Sequence, residues 1–334
     1  MEKQPVRIVT DGAVELAPET ISTLGIGIVP RQLQAGKTTY ESNEETPLPV
    51  LGQTLSPSKA RVLSPIVNDF LQAYRRFEPA PILSIHPAET LDDAAHFARL
   101  ARNLLTAHPL TTYYDAQGAL RYLRLPQSVA EPSEIHVFEA STIDLGMRLL
   151  VTAAAQSARD GRVVGKLDLL LHRLQTEMLQ TWVLTKNTSR LSVADTPTAG
   201  ARSMLRRLLP GMETLLRLER ATGRFEVVER GRNLAKTLAA RPELFQGIPQ
   251  PCEIWIRQRG YAKEVQQIAS QLQTACQAER VNVEHDSLAA APYFASNYIE
   301  LVLGPTPEAI ERVIKFTDRV WGRFGVSGSL TGTH

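Results

Sequence analysis

Val6-Arg7-Ile8-Val9-Thr10-Asp11-Gly12 is followed by Pro18-Glu19 and then by Gly27-Ile28-Val29-Pro30. The first run reads as a strand, and Thr10-Asp11-Gly12 as the turn that leaves it. Pro18-Glu19 opens a short helix, because proline at the first helical position gives up an N–H that has no partner there. Gly27 to Pro30 reads as a second buried strand. Strand, helix and strand in this order make a β-α-β unit, the building block of a mostly parallel sheet covered on both faces.

The alternation continues outward. Ile82 to Ile85 is a third strand and Ile135 to Phe138 a fourth, with a helix of wide apolar face over Gly146 to Ala158. Thr90-Leu91-Asp92-Asp93 has the spacing of a capping box with Asp in the Glu position, which predicts that Thr90 caps the helix after the third strand. Between about Leu104 and Ser133 the pattern turns irregular, and Tyr113 to Gly118 signals a hairpin or surface excursion. Gly161-Arg162-Val163-Val164-Gly165 is a hinge-like break.

Beyond it, Leu167 to Met178 is amphipathic and helical, and Trp182 to Leu184 is a strand. A helix is expected over Ala201 to Leu208, and a hairpin over Leu215 to Arg230 with its turn at Ala221-Thr222-Gly223. Glu253 to Arg257, Val281 to Val283 and Tyr298 to Leu303 are strands. Ala262, Val265, Ala269, Leu272 and Cys276 mark one helical face. Thr306-Pro307 starts a last helix reaching about Arg323. The reading divides the chain into an N-terminal α/β domain over 1–162 with an insertion at about 104–133, a second α/β domain over 163–326, and a disordered tail over 327–334.

Length and composition agree. At roughly 100–200 residues per domain, 334 residues suggest two domains. Lys and Arg number 37 against 35 Asp and Glu, a net charge of +2 that calls for neither nucleic acid nor an acidic membrane as partner. Two cysteines, Cys252 and Cys276, fit a reducing compartment better than a disulfide scaffold. The start of the chain shows no signal-peptide stretch, and no run of 18 apolar residues occurs. A cytoplasmic protein without a membrane span is expected.

Few motifs suggest chemistry. Gly25-Ile26-Gly27 is a broken dinucleotide fingerprint that precedes a strand where it should follow one, and a tight turn explains it. Asp92, Asp93 and His96 stand at helical spacings that could touch one metal, yet acidic residues at a helix N-terminus also simply complement its dipole. Arg202 to Arg232 carries eight arginines without interleaved aromatic rings, which reads as a solvated face. Trp182 and Trp255 read as core. No histidine is paired in sequence with a Ser or Cys in a way that suggests a triad. An enzyme using Asp11, Asp92 and Asp93 is the least favoured reading.

Several segments in order resemble the DegV family of bacterial fatty-acid-binding proteins. Ile8 to Leu16 resembles its IVTDSTADL, Ser64-Pro65-Ile66-Val67-Asn68-Asp69-Phe70 its TSQPSPxDF loop, and Ile82 to Ile85 the strand before its LSGT loop. Val137 to Gly146 is similar to its VxDSxxxSxG segment, and Asn187-Thr188-Ser189-Arg190-Leu191 stands where the family writes KGGRI. Glu229-Arg230-Gly231-Arg232 also follows its layout. The resemblance implies two α/β domains with a ligand cleft between them. It implies a non-catalytic carrier, with no cofactor, that holds a fatty acid or related amphiphile. A fatty acid kinase is the partner implied.

The departures fall on the head-group ligands. The family's Thr-Ser pair lands on Val62 and Leu63, with Ser64 one position on. The Ser and Gly of LSGT land on Asp92 and Asp93, and the Ser after Thr10-Asp11 is Gly12. The cleft histidine falls near Phe294 or Ala295, beside Ser296 and Asn297. Asp92 would set a fixed anion against an incoming carboxylate. Each charge-assisted hydrogen bond lost costs about 1.5–3 kcal/mol, whereas a buried tail contributes roughly 0.8 kcal/mol per CH₂ and a long one about 10 kcal/mol. Acyl binding can therefore survive with altered head-group selectivity. Thr10, Gly12, Val62, Leu63, Ser64, Thr90, Asp92, Ser141, Thr142, Arg190, Ala295 and Asn297 are the expected cleft residues by matched position. The alternative is a relative that has lost its ligand and acts as a scaffold, its tunnel plugged by Leu63, Tyr293 and Phe294.

Overall fold

The structure, a computed structural model, describes residues 4–52, 55, 60–106, 110–114, 120–124, 134–188, 191, 212–238, 240–245, 247–290, 293–294 and 297–323. The helix expected over 201–208 and the tail 327–334 lie outside the described residues.

In chain order the first elements are β1 (Arg7–Asp11), α1 (Pro18–Leu24), β2 (Gly27–Val29), β3 (Arg31–Ala35), β4 (Thr38–Ser42), α2 (Leu48–Leu51), β5 (Ala60–Leu63) and α3 (Val67–Phe77). Then come β6 (Ile82–Pro87), α4 (Ala94–Thr106), β7 (Leu110–Tyr114), β8 (Leu120–Arg124), β9 (Ile135–Ala140) and α5 (Asp144–Arg159). β2-β1-β6-β9 form a parallel sheet. Its strands are short apolar runs because both faces are covered. Ile8, Ile28, Leu83 and Ile85 pack toward α1 and α5, while Val9, Val29 and Ile82 pack toward α3 and α4. The expected three layers are present. β7 and β8 pair as the hairpin read in the irregular stretch.

β3, β4 and β5 form a small antiparallel sheet that the sequence reading passes over. Its polar text, Arg31-Gln32-Leu33-Gln34-Ala35, alternates correctly for a strand, but the inward positions are Arg31 and Leu33. A buried arginine hides the apolar half of the pattern.

The second half holds α6 (Val164–Arg173), a single π turn (Leu174–Met178), β10 (Gln180–Thr185), β11 (Met212–Glu219), β12 (Arg224–Arg232) and α7 (Leu234–Leu238). It ends with β13 (Cys252–Arg259), α8 (Ala262–Ala275), β14 (Arg280–His285), β15 (Tyr298–Pro305) and α9 (Pro307–Arg323). Six strands run in the order β12-β11-β10-β15-β13-β14, antiparallel except for β13 with β14. Helices α7 and α8 cover one face, α6 and α9 the other. One apolar cluster runs from Ile8 of β1 through α5 to Val302 of β15, so the two sheets share a core. Trp182 is buried against Phe245, as expected of a core tryptophan. Trp255 is only partly buried and packs at the margin of the shared cluster.

Candidate functional site

The strand order places β2 on one side of β1 and β6 on the other. The carboxyl ends of β1 and β6 therefore flank a topological switch point, where open α/β sheets form ligand crevices. Asp11 ends β1, and His86 and Pro87 end β6. Arg31, which opens β3, reaches into the same place.

Arg31 is 1 % exposed and organises the polar contacts at this end of the sheet. Its Nε donates to Asp11 Oδ1 at 2.6 Å, and its two terminal nitrogens donate to Asp92 at 2.7 and 3.1 Å. Burial pushes the Asp11 carboxyl up, but Arg31 and His86 outweigh it and hold it well below the usual carboxylate range. Burial pulls the Arg31 guanidinium down, yet the two aspartates hold it above its ordinary value. Two carboxylates around one guanidinium leave one net negative charge, paired and hydrogen-bonded as a buried ion group must be. Asp92 is thus an occupied partner of Arg31, where the sequence reading expected a bare anion.

Asp92 has two further roles. Its Oδ1 accepts the Ala94 N–H at 2.8 Å, so Asp92 caps the start of α4. This corrects the assignment of the cap to Thr90. Ser64 Oγ donates to the same carboxylate at 3.3 Å. Thr90 Oγ1 instead donates across the molecule to the carbonyls of Thr222 and Gly223, 3.1 and 2.9 Å away, at the tip of the β11–β12 hairpin.

Behind the ion group runs a second chain of polar contacts. Asp11 Oδ2 meets His86 Nδ1 at 2.9 Å, His86 Nε2 meets Ser84 Oγ at 2.7 Å, and the Tyr74 hydroxyl donates to Ser84 Oγ at 2.9 Å. A serine, a histidine and an aspartate are therefore in triad order, a pairing absent from the sequence reading because Asp11 and His86 lie 75 positions apart. Ser84 and His86, both in β6, are fully buried. Each of these buried polar groups thereby has a hydrogen-bond partner.

The other matched residues divide. Thr10 Oγ1 donates to the Ile85 carbonyl at 2.9 Å and ties β1 to β6. The Gly12 N–H donates to Val29, and a Cβ on Gly12 would lie 2.5 Å from the Ser42 carbonyl oxygen. Ser141 N–H donates to Gln175 Oε1 at 2.8 Å, a side chain aimed by the π turn. Ser64 bonds Asp92, and Thr90 and Ser141 lie together against Gly223, while Val62 and Leu63 stay in β5, with Val62 paired to Leu33. Thr142 Oγ1 bonds Thr181 Oγ1 at 3.1 Å, and Asn297 packs against Gly260. Arg190 and Ala295 lie outside the described residues. Tyr293 and Phe294 are buried in a cluster with Ile143, Phe225 and Tyr298, whereas Leu63 is not part of it.

His96 bonds Glu89 at 3.1 Å, away from Asp92. Among the described residues no three His, Cys, Asp or Glu side chains could hold a metal, and no helix is long and apolar enough to cross a membrane. Arg217 pairs with Glu226, and Arg220 donates to the Thr176 carbonyl.

The hairpin contact tests the site's architecture. Gly223 has φ of 62°, and a Cβ there would come within 3.0 Å of Ala88 Cβ and Thr90 Oγ1. Gly223→Val should cost at least ~1–2 kcal/mol from the left-handed backbone alone, read as a lower melting temperature. An unchanged melting temperature would show that Gly223 is not held in the left-handed region.

The family model described as "uncharacterised protein, DegV family" matches residues 5–290. The chain belongs to the DegV family. Its fold is shared with solved DegV proteins. The DegV protein of Thermus thermophilus, described for its fatty acid binding, is 17 % identical with a TM-score of 0.64, covering 90 % of this chain and 99 % of that one. DegV of Bacillus subtilis, described as a fatty acid binding protein, is 13 % identical with a TM-score of 0.64, covering 90 % and 99 %. A DegV family protein of Eubacterium eligens, loaded with heptadecanoic acid, is 14 % identical with a TM-score of 0.62, covering 90 % and 100 %. Among curated proteins no sequence matches this chain.

Sequence reasoning missed Arg31, Ser84 and His86. It also missed a second buried arginine, Arg257 of β13. Arg257 pairs with Asp144 at the start of α5, with Glu15 after β1, and with Glu284 of β14. Arg148 of α5 holds Glu284 as well, at 2.5 Å. These ion pairs join the two sheets. Glu300 of β15 is fully buried beside Asp144, and among the described residues neither of its oxygens has a donor in good hydrogen-bond geometry. Burial, then the Asp144 charge, push its carboxyl well above the usual carboxylate range, with Arg257 offsetting only part. No periodicity could have signalled these residues, because their charges look solvated in sequence.

Proposed function

We propose that this DegV protein is a non-catalytic lipid-binding protein that holds an acyl chain between its two α/β halves, divided near residue 162. The observation that carries this is its family fold, shared over nine-tenths of the chain with proteins described as fatty acid binding. Altered head-group recognition follows from the Arg31–Asp92 ion pair, which occupies the crevice with groups of the protein's own. An acid head group arriving there in neutral form, or an uncharged polar head, meets less repulsion than a carboxylate facing a net negative cluster. The burial of Ser84 supports a role without chemistry. The reading includes a cytoplasmic location, and a fatty acid kinase as the partner to which such a carrier would present its ligand.

The test is mass spectrometry of an organic extract of the purified protein against a mock purification. A stoichiometric fatty acid or neutral amphiphile is expected. Absence of any extracted lipid, with no uptake on incubation with fatty acids, would overturn the carrier and leave the scaffold reading.

A further inference from the structure

The six-stranded sheet ends in β12 on one side and β14 on the other, and the two edges are built differently. An edge strand has free N–H and C=O groups that another strand can pair with, and natural sheets blunt it with bulges, proline or charge of one sign. β12 is blunted. Leu215 pairs with Glu229 and Leu216 with Val227, which leaves Val228 as an extra, bulged residue. Its carboxylates Glu226 and Glu229 are taken by Arg217 and Arg241, and Arg224, Arg230 and Arg232 have no ion pair among the described residues. A second strand would meet a broken register and unmatched cations.

β14 is open. Arg280 to His285 lies beside β13 in unbroken parallel register, without proline or bulge. Among the described residues no strand pairs with its outer edge. Val283 is 39 % exposed there. Six residues offer about 20 Å of edge at ~3.3 Å per residue. The charges along it are of both signs, Arg280 near one end and Glu284 near the other.

That arrangement is complementary to itself. A second β14 related by a two-fold axis perpendicular to the sheet runs antiparallel, and opposed residues point to the same face. With Asn282 on the axis, Arg280 opposes Glu284 of the second copy, Val281 opposes Val283, and Glu279 opposes His285, each pair occurring twice. Opposite charges across strands stabilise and like charges destabilise. Arg280 has no carboxylate partner among the described residues. Around the partly exposed Glu284, three carboxylates (Glu284, Glu15 and Asp144) meet two guanidiniums (Arg148 and Arg257), leaving one negative charge for an incoming cation. An axis at Val283 would set Arg280 against Asp286, which Arg259 already holds at 2.6 Å, and an axis at Val281 would set Val283 against Glu279. We propose that β14 is a homodimerisation edge that pairs antiparallel with β14 of a second copy about Asn282, joining the two six-stranded sheets into one. The pairing is independent of the ligand proposed above.

Sedimentation equilibrium of the unaltered full chain should show a monomer–dimer equilibrium. Val283→Lys and Arg280→Glu should each weaken it roughly tenfold, because each change acts twice in the dimer. The register has its own test in Asn282→Cys. Directly opposed Cα atoms lie about 4.5–5.5 Å apart, within the ~4.4–6.8 Å that a disulfide spans. On mild oxidation Asn282→Cys should form a covalent dimer that reductant dissolves. Lys263→Cys, on the exposed side of α8, and the native chain with Cys252 and Cys276 alone should not. A chain that stays monomeric at its highest soluble concentration would overturn the proposal. So would a dimer in which Asn282→Cys crosslinks no better than Lys263→Cys, since another surface would then hold it. The measurement on the unaltered chain stands even if a substituted one does not fold.

Discussion

Arg31→Met should destabilise the protein by about 3–5 kcal/mol, the cost of leaving buried carboxylates without their cation. Methionine keeps an unbranched stem but lacks the guanidinium, with its charge and its donors. Asp11 then retains His86 and the Ala13 N–H, and Asp92 retains Ser64 and the Ala94 N–H. Neither set supplies a full compensating charge. The loss should be greatest near neutral pH and shrink in acid. In the native chain Asp11 is held low, so its contribution is present above about 3.9 and lost only as pH falls through its depressed folded value. Without Arg31 that carboxyl titrates higher, and a proton relieves the repulsion. Arg31→Met/Asp92→Ser should recover part of the loss, with a coupling energy of about 0.5–3 kcal/mol. Denaturant unfolding at pH 7 and pH 4 measures all of this. A change below ~1 kcal/mol at pH 7 would show that water, and not Asp11 and Asp92, holds the guanidinium.

Glu300→Gln should have the opposite sign. Glu300 is surrounded by Asp144, Arg257 and the backbone of Leu145, and its carboxyl is pushed well up by burial and the Asp144 charge. The unfolded chain ionises near pH 4.3, whereas the folded one keeps the proton. Stability is therefore lost as pH rises from there to the folded value, at up to about 1.4 kcal/mol per pH unit. Glutamine has no proton to hold, and its amide can donate to the unpartnered Asp144 Oδ2. The substituted protein should gain on the native one steadily between pH 5 and pH 8. Parallel stability curves over that range would show that Glu300 is ionised in the fold and that Arg257 satisfies it.

Both substitutions concern residues that the sequence reading left as background, and the reason is physical. The β-α-β alternation of Ile8, Ile28, Leu83 and Phe138 is written locally, because a strand covered on both faces must be apolar throughout. The hairpin turning at Gly223 is equally local. The β3–β5 sheet was not legible, since Arg31 takes an inward position where the pattern needs an apolar residue. Of the matched residues, Ser64 meets Asp92, and Thr90 and Ser141 meet Gly223 of the hairpin. Val62 and Leu63 are paired within the sheet of β5.

The sequence by itself determined the α/β class, the order of most elements and the family, since these rest on periodicity, turn chemistry and segments matched in order. Only the tertiary structure decided that Asp92 is paired with Arg31. Arg31 lies 20 positions from Asp11 and 61 from Asp92. Such a pair forms only when the strand order brings the ends of β1 and β6 together. A buried charge is meaningful by its partner, and the partner is set by the fold.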